Sequence, residues 1–242
     1  MRHLIVIIIT LLMLQPIYVK GDNNQLYEQL DAALAQRAYY IELKEKSLND
    51  IKQGAKYVTS NEDKLKLYEQ LANDYKAYEY DSAMTYVNKG LLLAQKSNNI
   101  LFNKRFRLSQ TRLLITRGFY AEAKEILQKI APQEDSHNYQ FLYYYTLYEL
   151  YNNWAAYCEN NEFSKNYNQK KMEYLKKAIE LSPKKDAFYY YLMGELYYFS
   201  NYPNYNKTIQ YYKKALNMEK GNSRLHAMTA FALSEVYKKA NN

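Results

Sequence analysis

Between Lys184 and Lys220 the chain reads KKDAFYYYLMGELYYFSNYPNYNKTIQYYKKALNMEK. Tyr190, Met193 and Tyr197 stand three and four residues apart around the small Gly194, the spacing of one helix face. A second run, Thr208, Tyr212 and Ala215, follows at similar intervals, so the stretch predicts a helical hairpin. Both halves recur upstream. Tyr189–Tyr197 aligns without a gap on Tyr143–Tyr151, and Gln210–Leu216 aligns on Glu173–Ile179, with extra residues between the halves of the earlier copy. An insertion there falls in a turn. Tyr68, Leu71, Ala72 and Tyr75, followed by Ala83, Val87 and Gly90, predict a first hairpin whose second helix opens at Asp81. A second hairpin is weakest over 101–117 and clearer in Gly118, Tyr120, Ala123, Leu127 and Ile130, closed by Pro132. Ala230, Leu233, Ser234 and Tyr237 begin a fifth unit, of which only the first helix precedes Asn242. A solenoid usually ends in a polar capping helix, so this helix is expected either to be that cap or to be followed by more chain.

Ahead of the repeats, residues 22–59 predict one long helix or two nearly collinear ones. Tyr27, Leu34, Ile41, Leu48 and Ala55 keep a seven-residue spacing, while Arg37 and Lys44 break the companion seam, which favours packing along the array over a free coiled coil. Ser60 with Asp63 three residues on is a capping pair that separates this stretch from the repeats at 60–242.

Composition narrows the picture. Six Gly and four Pro in 242 residues are too few for the turns of a sandwich or barrel, so the chain is read as all-α. Tyrosine is the outlier at 30 residues, a ring with a polar tip that suits both grooves between helices and ligand-facing surfaces. The net charge of +8 is distributed as pairs such as Lys176-Lys177 and Lys213-Lys214, which read as solvated helix faces. Arg2 and His3 precede the apolar run Leu4–Leu14, broken by Gln15 and Pro16 and followed by Val19-Lys20-Gly21. That predicts a secretory signal over 1–21, cleaved after about Gly21, since a run this short falls below the ~20 residues of a membrane span. Export argues against a nucleic acid partner for this portion. Cys158 is the single cysteine, so no internal disulfide forms, and among Trp154, Ala155, Ala156 and Tyr157 it reads as a small packing residue.

No histidine pair, Cys/His set, phosphate-binding glycine loop or nucleophile elbow is present, so neither an enzyme, a metal nor a cofactor is expected. One constellation stands out. A carboxylate recurs one position after the small-residue site of the first helix, at Glu149, Glu195 and Glu235, and an aromatic precedes it by four, at Tyr145, Tyr191 and Phe231. Residues four apart share a helix face. With Phe188, Tyr198 and Phe199 near the same face, these nine residues are the candidate ligand-binding set. The competing reading is that Glu is a good helix former on a wet face and the aromatics support packing.

The pattern Tyr190-x2-Met193-Gly194-x2-Tyr197 with Thr208-x3-Tyr212-x2-Ala215 resembles the tetratricopeptide (TPR) repeat over about residues 61–240. The resemblance implies a right-handed superhelix of antiparallel helix pairs, about four and a half repeats here, whose concave face binds a partner. A closer resemblance rests on Leu30–Tyr40, on Lys44-Glu45-Lys46 and on Tyr80-Asp81-Ser82-Ala83. These are similar to the exported sensor part of the TPR membrane-bound transcriptional regulators of Bacteroides-type bacteria, the starch-utilisation regulator group. The resemblance implies a non-catalytic periplasmic recognition domain that binds a protein, peptide or glycan on its concave face, followed in that group by a spanning helix, a coiled coil and a DNA-binding output. This sequence reaches Asn242 with none of those parts. The alternative is a free-standing periplasmic scaffold that binds proteins or peptides.

Overall fold

The computed structural model describes residues 23–240 apart from 134, 160, 161 and 220–222. The expected signal over 1–21 lies outside them. Among the described residues there are eleven α-helices and no strand, and no helix is long and apolar enough to cross a membrane. The chain divides into two compact units, residues 1–54 and 55–242.

In the first unit the long amino-terminal stretch is two helices, α1 (Asn23–Ala35) and α2 (Arg37–Gly54), interrupted at Gln36. Of its seven-spaced apolar residues Tyr27, Leu34 and Ile41 are exposed and Leu48 is buried. The seam that the spacing predicts is therefore not a core within these two helices.

The second unit is a series of hairpins: α3 (Asn61–Tyr75) with α4 (Tyr80–Lys96), α5 (Ile100–Thr116) with α6 (Tyr120–Lys129), α7 (His137–Cys158) with α8 (Glu162–Leu181), and α9 (Ala187–Tyr198) with α10 (Tyr205–Met218). A last helix, α11 (Arg224–Ala240), packs on α10 and α9. The first helices are started by short polar side chains that accept a backbone N–H three residues on. Ser60, Asn99, Ser136 and Asp186 do so for α3, α5, α7 and α9, satisfying donors that a helix start leaves unpaired. Gly118, at φ 82°, makes the tight turn into α6 that an L side chain would resist.

One packing device holds three of the four hairpins. The second helix supplies a tyrosine that sits between two tyrosines seven residues apart on the first helix. Tyr86 lies 6.2 Å from Tyr68 and 5.9 Å from Tyr75; Tyr174 lies 6.3 Å from Tyr144 and 5.5 Å from Tyr151; Tyr211 lies 6.2 Å from Tyr190 and 5.4 Å from Tyr197. Each ring pair adds ~0.5–1.5 kcal/mol beyond the area it buries. The second hairpin has Ile126 where the others have this tyrosine, and its core with the third is built from Leu108, Ile115, Leu127 and Leu147. Tyr139 and Tyr143 join those hairpins by donating to the carbonyls of Ile130 and Leu127 at 2.7 and 3.2 Å, which satisfies the last turn of α6.

Close helix approach rests on two glycines. A Cβ on Gly194 would stand 2.3 Å from the Tyr212 ring, and one on Gly90 would stand 2.2 Å from Phe106. The small position of the repeat is thus filled by an aromatic ring from a neighbouring helix.

Candidate ligand-binding cleft

The three repeated carboxylates meet different fates. Glu149, on α7, forms a two-pronged ion pair with Arg112 of α5 at 2.6 and 2.9 Å. Burial pushes the Glu149 carboxyl up, but the Arg112 charge and its hydrogen bonds outweigh it and hold the carboxyl below its usual range. Arg105, two turns earlier on α5, makes a similar pair with Glu69 of α3, so α5 is clamped to the first helix on either side of it.

Glu195, on α9, is only 6% exposed. It accepts from the hydroxyls of Tyr148 on α7 and Tyr212 on α10. Burial raises the Glu195 carboxyl above its ordinary range, although the tyrosine bonds oppose this. The group ties three helices together. Glu235, on α11, pairs with Lys238 at 2.6 Å near the surface.

The aromatic partners separate in the same way. Tyr145 is buried beneath an edge-to-face contact with Phe188 at 4.9 Å and under the Arg112 guanidinium at 5.4 Å. Tyr145, Glu149 and Phe188 therefore form a packed seam between α5, α7 and α9. The other six candidates converge on one cleft. Tyr191, Glu195, Tyr198 and Phe199 form one wall and Phe231 and Glu235 the other, with Tyr212 and Met228 at its sides. Its volume is about 250 Å³, just under the ~300 Å³ at which small-molecule sites begin. Phe231 is 69% exposed at the cleft mouth.

Behind Phe199 lies a residue that the sequence reading missed. Lys171, on α8, is 6% exposed and holds its ammonium 3.7 Å from the Phe199 ring centroid. Burial lowers it to about 8, with the Glu195 charge opposing. Lys171 stands where the repeat pattern has Thr208 in the fourth hairpin and Ala83 in the first, and a lysine at that small-residue position is the signal that could have found it. It fixes one cleft wall by a cation–π contact. Tyr198 is covered similarly by Lys239 at 5.1 Å. Cys158 is half-buried and unbonded to another cysteine. Among the described residues no group of three His, Cys, Asp or Glu side chains is placed to hold a metal ion.

The cleft's carboxylates face tyrosines and a lysine, and most of its lining is aromatic ring. A comparison with curated proteins finds no match. A scan of family profiles matches the SusR N-terminal TPR domain over residues 34–242. The match takes in the end of α1, all of α2 and the whole hairpin array. The chain belongs to the SusR N-terminal TPR domain family.

Proposed function

We propose that this chain is the ligand-recognition part of a membrane-associated transcriptional regulator, working in the periplasm once residues 1–21 have been removed, and that the cleft between α9 and α11 is where the ligand docks. The observation that carries the reading is the cleft itself. Aromatic faces on both walls, one of them the exposed Phe231, stand beside the carboxylates of Glu195 and Glu235. Flat rings beside the Glu235 carboxylate suit a sugar ring, whose C–H face stacks while its hydroxyls donate, or an aromatic or amide group of a peptide. The family supports a regulator sensor, and the apolar run at Leu4–Leu14 supports export. Chemistry on the ligand is not part of the role.

The purified chain screened by thermal denaturation against neutral oligosaccharides and short peptides tests the reading. A ligand that binds the folded state alone raises the melting temperature with concentration. A saturable rise with one class is the expected outcome. A response to folded protein partners alone, with none to either class, would favour the free-standing scaffold.

A further inference from the structure

A second pocket, of about 460 Å³, opens between the end of α3, the end of α5 and the start of α11. Lys76, Glu79, Tyr80, Arg117 and Arg224 line it. None of the nine candidate residues does, although Glu149 lies close enough behind it for its charge to act on Lys76.

The charges at this pocket do not balance. Arg112 and Glu149 neutralise each other through their two bonds. Arg117 stacks on Tyr80 at 4.5 Å. Lys76 makes no ion pair among the described residues and is partly buried. Burial brings it down to about 7, the repulsion of Arg112 and Arg224 adds to the fall, and Glu149 opposes it. The first hairpin and the last helix thus bring two cations, Lys76 and Arg224, to one concave space. Glu79 is the one carboxylate on its lining. Arg117 and Arg224 are exposed and Lys76 is partly buried, and cations gathered around one concave space raise the local potential that draws in an anion.

We propose that this pocket binds an oxyanion, the carboxylate or sulfate of an acidic ligand, held by Lys76 and Arg224 with Arg117 at its edge. An arginine fork at 224 matches the two oxygens of such a group, and the lysine supplies a point charge opposite it. The site is separate from the aromatic cleft and does not depend on it.

The test is titration of the purified chain with sodium sulfate and with sodium glucuronate, at ionic strength held constant with sodium chloride, read by melting temperature and by calorimetry. Both probes keep a fixed charge from pH 6 to pH 8.5, so any pH dependence belongs to the protein. Over that range Lys76 passes from cation to neutral amine, while the Arg112 and Glu149 pair keeps both its charges. Binding is expected to be saturable, roughly tenfold weaker at pH 8.5 than at pH 6, lost in a Lys76→Met, Arg224→Gln double variant, and kept in Phe231→Ala. Because that double variant removes a repulsive pair, its own melting temperature should not fall. Response to glucuronate alone assigns a carboxylate, response to sulfate alone a sulfate or phosphate ester, and either supports the site. No saturable response to either probe, equal responses from the double variant, or a response indifferent to pH would overturn it.

Discussion

At the scale of single residues the molecule is set by polar groups placed where water is scarce. Tyr148 and Tyr212 make Glu195 tolerable in the interior by donating to its two oxygens, and Arg112 does the same for Glu149. Lys171 has an aromatic face as its nearest partner and is correspondingly costly as a cation. Its folded value of about 8 lies below the 10.5 of a free lysine, so the unfolded chain binds more protons between those limits and stability rises with pH across that window. Between pH 7.5 and 9.5 the wild type should gain about 2 kcal/mol relative to Lys171→Met. Urea denaturation of both proteins at the two pH values checks this, and parallel stabilities would show that Lys171 is hydrated. For Glu149 the sign is reversed. Its depressed carboxyl adds stability above the ordinary carboxylate range, which is lost as pH falls through its folded value.

Single helices and their neighbours show what was legible in the sequence and what was not. The hairpins follow from three- and four-residue spacing, because a helix face is a local property written in consecutive residues. Gly194 is legible too, since a small residue among large ones at that spacing implies a close neighbour, here the Tyr212 ring. Gly194→Ala should destabilise by ~1–2 kcal/mol, the cost of displacing a ring locked to Glu195 reduced by the ~0.5–1 kcal/mol helix preference of alanine. Chemical denaturation measures it, and a stabilised variant would mean that the ring yields freely. Pairings across repeats were not legible. Arg112 with Glu149 and Lys171 over Phe199 join residues far apart in the chain, and no spacing rule specifies such partners. For the same reason the carboxylate stripe was visible as a pattern, but its division into the Arg112 pair, the tyrosine-bound Glu195 and the surface Glu235 was not. Nine of the 30 tyrosines are accounted for at this scale, because Tyr86, Tyr174 and Tyr211 and their two sandwiching partners each are packing groups.

For the hairpin array as a whole, repetition makes departures informative. Each hairpin buries its first helix against the next, so aromatic residues along that face are used up in packing wherever a following hairpin covers them. Tyr145 is buried in that way. Beyond α9 the cover is the single helix α11, and there the aromatic face opens into a cleft with Phe231 at its rim. The account's central claim is that this opening is a recognition site and not a packing defect. The most direct measurement is the binding isotherm of the ligand class found by screening, compared between the wild type and Phe231→Ala and Tyr198→Ala. Phe231 is largely exposed, so its replacement should leave the melting temperature within about 1 °C while weakening binding at least tenfold, and Tyr198→Ala should weaken it as well. Unchanged affinity in both variants would contradict the assignment of the cleft.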